Sequence, residues 1–95
     1  MVVQQTILKN EVGLHARPAT FFVQMATGFT STIWIEKDGK RVNAKSLLGV
    51  LSLAVGQGDT IDIVAEGEDE RSAVRDLVDL VENKLESVMQ TGVSP

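Results

Sequence analysis

The sequence contains no cysteine and a single histidine, His15, among its 95 residues. The lack of cysteine excludes disulfides and thiolate metal sites, and one imidazole cannot make a histidine-rich metal site. No apolar run approaches the roughly 20 residues that a membrane helix needs. The amino end also lacks the basic start and long apolar core of a secretion signal. These absences favour a cytoplasmic protein with no metal, no cofactor and no insertion into a membrane.

The chain also lacks a basic excess. Its formal net charge is -4 at pH 7, which argues against nucleic acid as a partner, because a phosphate backbone requires a basic surface. The positive residues of the middle section, which include Arg41 and Lys45, could instead steer the protein towards an acidic partner surface. For Lys37 and Lys40 we expect plain solvated charge. The length fits a single domain, 1–95, with one modest core.

The hydrophobic patterns predict seven elements in the order β-α-β-β-α-β-α. They are a strand over 2–9 with ambiguous facing, a helix from Pro18 to Thr27, strands over 32–36, 40–42 and 60–66, a short helix after Ser46, and a last helix from about Asp69. Asp69 is expected to be the N-cap of the last helix, and its buried stripe is predicted to consist of Ala73, Val74, Leu77, Leu80, Val81 and Leu85. This order predicts an α+β fold in which helices cover one face of an antiparallel sheet. Residues 91–95 carry no pattern, and we expect them to be frayed.

Four local features refine this prediction. Gly28 is placed as a left-handed residue just after the first helix, and Phe21 is expected to pack beside the core stripe of that helix. Asp38-Gly39 predicts a two-residue hairpin turn. Trp34 lies on the sheet face opposite Ile33 and Ile35, where covering a neighbouring side chain is favoured over a binding contact.

Ser46 has the position of a helix N-cap, because it precedes the apolar run Leu47-Leu48-Gly49-Val50-Leu51 directly. That run is too apolar for the single buried stripe of a short helix, so part of it must face outward and form a docking surface. Val50 and Leu53 are assigned to the core. The candidate docking residues are Leu47, Leu48, Leu51 and Thr20.

The segment from Gly13 to Thr20 holds the candidate reactive group. Gly13 permits a tight turn with positive φ, and Pro18 suits the first turn of a helix, where its missing N–H has no partner. His15 and Arg17 would then lie at a helix start, among free N–H groups that attract phosphate. A lone histidine is more often structural, yet an imidazole beside a guanidinium can also act as a nucleophile or proton carrier.

Gly13-Leu14-His15-Ala16-Arg17-Pro18-Ala19 resembles the active-site segment of HPr, the histidine phosphocarrier family of the sugar phosphotransferase system. Asn43-Ala44-Lys45-Ser46-Leu47-Leu48-Gly49-Val50-Leu51-Ser52-Leu53 resembles the regulatory-serine segment of the same family, at the expected distance. The resemblance extends from about Val3 to Leu85. It implies an open-faced β-sandwich, with a four-stranded antiparallel sheet and three helices on one face.

The resemblance also implies a mechanism. His15 would accept a phosphoryl group on Nδ1 from phosphorylated enzyme I and pass it to a sugar-specific enzyme IIA. Ala16 and Arg17 would bind the phosphate, with no metal and no cofactor. The protein would be a stoichiometric carrier rather than an enzyme.

Ser46 is, by the same resemblance, a regulatory phosphorylation site. The family's kinase is HPr kinase/phosphorylase, and the phosphorylated form would bind a repressor of the catabolite control protein A type in carbon catabolite repression. A related branch, Crh, keeps the serine but has glutamine in place of the histidine and serves no sugar transport. The segments 35–40 and 67–70 resemble that branch, so a Crh-like regulator is the alternative function. Without the resemblance, the remaining hypothesis is that the chain is a small interaction domain with an apolar docking patch.

Overall fold

A computed structural model describes residues 1–86 of the chain. The elements are β1 (Val2–Ile7), α1 (Ala16–Thr27), β2 (Thr32–Lys37), β3 (Lys40–Asn43), α2 (Leu47–Ser52), β4 (Thr60–Glu66) and α3 (Glu70–Asp79). A π-helical turn, Leu80–Lys84, continues α3. The predicted order β-α-β-β-α-β-α is confirmed. The predicted frayed tail, 91–95, lies outside the described residues.

The four strands form one antiparallel sheet in the order β1-β4-β2-β3. Ile33 pairs with Ala65 and Ile35 with Ile63, and all four side chains are buried in the core. The helices supply the other half of that core through side chains such as Phe22 of α1, Val50 of α2 and Leu77 of α3. The α+β class, with helices packed on a single sheet, follows from this apolar face.

The predicted buried stripe of the last helix is confirmed. Its members Ala73, Val74, Leu77, Leu80, Val81 and Leu85 are all buried. The strand β1, whose facing was ambiguous, turns Thr6 and Leu8 inward and leaves Val3 and Ile7 exposed.

The opposite face of the sheet carries no helix among the described residues, yet Val64 on it is only 1% exposed. Val64 pairs with Trp34 on one side and with Val3 on the other. The guanidinium of Arg41 lies over the Trp34 ring, 5.4 Å from its centroid. The burial of Val64 is what the covering role of Trp34 requires.

The hairpin turn between β2 and β3 is confirmed at Asp38-Gly39. Both residues have positive φ, 51° and 81°, as the turn type that matches the twist of a hairpin demands.

Two local predictions for α1 are wrong. Gly28 has φ -74° and ψ -9°, a right-handed conformation, because the helix ends in a tightened turn: the N–H of Gly28 donates to the carbonyl of Met25 at 3.1 Å and that of Phe29 to the carbonyl of Ala26 at 3.2 Å. Phe21 is 39% exposed rather than packed, because the buried face of the helix is formed by its neighbours Pro18, Ala19, Phe22 and Ala26. The helix also begins two residues earlier than predicted, at Ala16.

Candidate functional site

The loop that precedes α1 is fixed by a buried asparagine. The backbone N–H of Gly13 donates to the carbonyl of Asn10 at 3.3 Å, and Asn10 Nδ2 donates to the carbonyl of Gly13 at 3.0 Å. Asn10 is only 4% exposed. A turn tied by both hydrogen bonds presents the following residues in one arrangement. No sequence motif marks Asn10 for this role.

Gly13 and Leu14 press this loop against a second loop that follows α2. Gly13 has φ 68°, as predicted, and a Cβ atom at this position would collide with the carbonyl oxygen of Val55. The N–H of Leu14 donates to that same carbonyl at 2.9 Å, and the Leu14 side chain is fully buried. Only glycine satisfies both the backbone conformation and the close approach.

His15 follows immediately and is exposed. Its backbone is extended, with φ -113° and ψ 157°, and its side chain makes no capping hydrogen bond to α1. Ala16, the first residue of the helix, has φ 39°, a sparsely populated conformation for a residue with a Cβ that is often found at functional sites. The buried Leu14 and the helix start thus hold the backbone of His15 while its imidazole stays free to react.

The start of α1 supplies donors beside the imidazole. The N–H groups of Ala16 and Arg17 come before the first intrahelical hydrogen bond, from Ala19 to the carbonyl of His15 at 3.4 Å, and have no acceptor within the helix. Arg17 is exposed, and its guanidinium makes no ion pair with any residue of 1–86. Free N–H groups, a helix start and an unpaired guanidinium favour an anion here.

Thr20, one of the candidate docking residues, is half-buried one turn further along α1. Its hydroxyl donates to the carbonyl of Ala16 at 3.0 Å. The hydroxyl is therefore committed to the strained first turn of the helix, and what Thr20 offers a partner is its partly exposed surface.

Ser46 lies at the start of α2, as predicted. Its Oγ accepts the N–H of Gly49 at 3.0 Å, so it is an N-cap in geometry as well as in position. Its own N–H donates to the carbonyl of Asn43 at 3.1 Å. Ser46 is half-buried. Helices α1 and α2 pack against each other.

The apolar residues after Ser46 divide between surface and core. Leu48 is 81% exposed and Leu47 38%, whereas Val50 and Leu53 are buried, as predicted. Leu51 is half-buried and packs against the core cluster, so it offers a partner less exposed surface than Leu47 or Leu48.

Asp69 occupies the cap position of α3 but does not cap it, contrary to the expectation from sequence. Its carboxylate accepts the N–H groups of Thr30 and Ser31, both at 2.9 Å, and the hydroxyl of Ser31. These bonds, the Ser31 hydroxyl first, lower the pKa of Asp69 from the ordinary 3.8 to about 2. The carboxylate therefore binds the loop at Thr30 and Ser31 rather than the start of α3, because the loop offers three donors.

The described residues contain no group of three or more His, Cys, Asp and Glu side chains that could hold a metal ion. Within 1–86, no helix has both the length and the hydrophobicity needed to cross a bilayer.

Comparison with known proteins identifies relatives along nearly the whole chain. A family model described as the PTS HPr component phosphorylation site matches residues 2–83. The HPr-like protein Crh of Halalkalibacterium halodurans is 52% identical over 84 residues, which cover 88% of this chain and 100% of the relative. The phosphocarrier protein HPr of Treponema pallidum is 44% identical over 86 residues, with 90% and 98% covered.

The fold is similar to solved structures of the same kind. A crystal structure of HPr-C-His from Thermoanaerobacter tengcongensis has a TM-score of 0.88 and 52% identity, covering 90% of this chain and 97% of that one. Four antiparallel strands with three helices in the order seen here are the fold that these structures share. Both carrier-named and Crh-named proteins thus stand among the relatives.

Proposed function

The chain belongs to the HPr family of the phosphotransferase system, and on that premise we propose that it is a phosphocarrier whose acceptor is His15. The phosphoryl group would come from phosphorylated enzyme I and leave to a sugar-specific enzyme IIA. The carrier is not consumed and catalyses no reaction of its own. The observation that carries the proposal is an exposed, uncapped imidazole at the start of α1, on a backbone held by Gly13, Leu14 and Ala16.

The transfer requires a nucleophile, a place for the phosphate oxygens and little else. The lone pair of the neutral imidazole, which we expect on Nδ1, forms a bond to phosphorus as the bond between phosphorus and the donor nitrogen of enzyme I breaks. The N–H groups of Ala16 and Arg17 and the Arg17 guanidinium would hold the equatorial oxygens. Phosphoryl transfer depends mainly on positioning and charge stabilisation, so no metal is required from this chain.

Regulation through Ser46 is the second part of the proposal. A kinase of the HPr kinase/phosphorylase type would place a group of about -1.5 to -2 charge at the start of α2. The dianion would lie beside the exposed Leu47 and Leu48, where it would disfavour enzyme I and create a contact for a repressor of the catabolite control protein A type. Leu47, Leu48, Leu51 and Thr20 remain our proposed docking residues for these partners.

A Crh-like regulator, acting mainly through phosphorylated Ser46, is the second candidate function. It is favoured by the 52% identity to a protein named Crh. It is disfavoured by His15 itself, since the exposed imidazole makes no hydrogen bond or ion pair with any of residues 1–86 that would give it a structural role. The two candidates differ in whether phosphoenolpyruvate or ATP is the effective phosphate source.

Mass spectrometry after two separate incubations, one with enzyme I and phosphoenolpyruvate and one with ATP and HPr kinase/phosphorylase, under conditions that keep acid-labile phosphate intact, distinguishes these functions. A carrier gains one acid-labile phosphate, which His15→Ala abolishes and Ser46→Ala retains. A Crh-like regulator gains only acid-stable phosphate, from ATP and the kinase, on Ser46. A chain that takes phosphate from neither source would be an interaction domain, and both proposals would fall.

A further inference from the structure

Lys37 lies at the end of β2, and its ammonium group binds the loop that follows α2. Its Nζ donates to the carbonyl of Leu53 at 3.3 Å and to that of Ala54 at 3.1 Å, and it pairs with Asp59 Oδ2 at 3.1 Å. An ammonium group has three donors, so each of them has a partner. This is an unusual commitment for a residue expected from sequence to be solvated charge, and that expectation is wrong.

Asp59 closes the same loop from its other end. Its Oδ2 also accepts the N–H of Gly56 at 2.8 Å, and these two partners, Gly56 first and Lys37 second, lower the pKa of Asp59. Within the same loop, Ala54 has φ 52°, a conformation that is unfavourable for a residue with a Cβ. Lys37 therefore holds the carbonyl of a strained residue, and the ion pair fixes both ends of the segment 53–59.

The segment 53–59 is also hydrogen-bonded to the residues that precede His15. The carbonyl of Val55, one residue after Ala54, accepts the N–H of Leu14. The carbonyl of Asp59 accepts the N–H of Leu8 at 3.0 Å, and Gln57 Nε2 donates to the carbonyl of Lys9 at 3.2 Å. The loop 53–59 is thus hydrogen-bonded both to Lys37 and to the backbone before His15.

From these contacts we infer that Lys37 and Asp59 are positioning residues for His15: by fixing the carbonyl of Val55, they fix Leu14 and the backbone of the imidazole that follows it. Neither residue touches the phosphate. The inference rests on the proposed carrier function for its consequence in phosphate transfer, but its structural part stands on the hydrogen bonds alone.

The burial of its cation separates the Lys37–Asp59 pair from ordinary surface ion pairs. The side chain of Lys37 is 18% exposed, whereas the cation of the Arg41–Glu36 pair is 45% exposed and that of the Lys84–Asp79 pair 60%. Exposed pairs contribute little and are screened by salt. A largely buried ammonium with three acceptors is costly to leave unpaired, so the loop is strongly biased towards the conformation that supplies them.

The test combines amide hydrogen exchange with the rate of His15 phosphorylation. Lys37→Met keeps the aliphatic stem and removes the donors. We expect exchange of the Leu14 N–H to accelerate about tenfold through local opening. His15 phosphorylation should slow by a similar factor, because a misplaced reacting group can cost up to about a hundredfold. Lys37→Arg retains the charge and the donors, so both the exchange rate of the Leu14 N–H and the rate of His15 phosphorylation should stay close to their wild-type values.

Lys84→Met is the matched control, because it makes the same substitution in a pair, Lys84–Asp79, that does not touch the loop. It should leave both readouts at their wild-type values. Unchanged Leu14 exchange in Lys37→Met would overturn the inference, as would an equal acceleration at Ile63 of the central strand β4, which would mean global unfolding. Equal slowing of transfer by both variants would also overturn it, since a general charge effect would then suffice. If wild type accepts no phosphate, the carrier proposal fails, and Leu14 exchange still decides the positioning role.

Discussion

The starts of α1 and α2 differ in how the residue before the helix is used. The Oγ of Ser46 accepts the N–H of Gly49, so the start of α2 has a side-chain cap. His15 has the same position before α1 but makes no capping bond, and the N–H groups of Ala16 and Arg17 have no acceptor within the helix. We call the capped start of α2 closed and the uncapped start of α1 open.

The two helices also differ in length and support. α1 has 12 residues and α2 only 6, so the longer helix presents the better-developed positive end. The backbone before His15 is tied by Asn10 and by the carbonyl of Val55, whereas Ser46 is tied to Asn43, three residues back. Reactivity is thus expected where the side chain is free and the backbone is fixed, which is the arrangement at His15.

His15→Ala should have the largest effect, since it removes the only nucleophile of the open start. Transfer of phosphate from phosphoenolpyruvate through enzyme I should stop, while the free energy of unfolding should change by no more than about 0.5 kcal/mol, because the imidazole is exposed. Phosphate incorporation and urea denaturation measure the two quantities. Residual acid-labile phosphate in this variant would place the acceptor elsewhere.

Arg17→Gln should come next. It keeps the N–H groups of the helix start and removes the guanidinium, so the rate of His15 phosphorylation should fall about 10²-fold, the usual cost of losing one donor to a transition-state anion. Stability should not change, since Arg17 makes no ion pair within residues 1–86. Single-turnover kinetics with phosphorylated enzyme I provide the measurement. A wild-type rate would remove Arg17 from the phosphate site.

Substitutions of Ser46 test the closed start. Ser46→Ala should cost about 1 kcal/mol of stability through the lost cap and leave His15 phosphorylation unchanged. Ser46→Asp retains a capping oxygen but adds charge beside Leu47 and Leu48, so we expect phosphorylation to slow about two- to tenfold at low salt and to recover at high salt. An unchanged rate for Ser46→Asp at low ionic strength would contradict regulation through charge at this position.

The third helix start, at Asp69, gives the smallest and most pH-restricted effect. Its folded pKa of about 2 lies below the ordinary 3.8, so the carboxylate stabilises the fold above pH 3.8 and loses this contribution as pH falls through 2. Asp69→Asn should therefore be less stable than wild type at pH 7, with the difference shrinking between pH 4 and pH 2. Urea midpoints across this range test it, with Ser46→Ala as a cap variant whose deficit has no carboxylate to titrate. A pH-independent deficit for Asp69→Asn would contradict the assigned bonds.

Sequence patterns predicted the features that depend on local chemistry. The hairpin at Asp38-Gly39, the cap at Ser46 and the positive φ of Gly13 each follow from what a residue type can do by itself. The buried stripe of α3 follows from its period. The exposed position of His15 was expected from the helix start that Pro18 indicates.

The features that sequence missed depend on partners distant in the chain. Asp69 has the composition of a cap, but three donors at Thr30 and Ser31 compete for it, and nothing in the local pattern announces them. The local sequence around Lys37 predicts a solvated lysine, because its three acceptors are brought to it only when the loop 53–59 folds. At Asp69 and Lys37, tertiary hydrogen bonds override a local preference. Gly28 is a different case, because a tightened last turn of backbone bonds closes α1 without a left-handed residue.

The most direct measurement of the central claim is ³¹P NMR of the chain after incubation with phosphoenolpyruvate and catalytic enzyme I. We predict one phosphoramidate resonance that disappears after mild acid treatment, is absent in His15→Ala and is retained in Ser46→Ala. A resonance that survives acid, or none at all in the wild-type chain, would contradict the assignment of the open helix start as the carrier site.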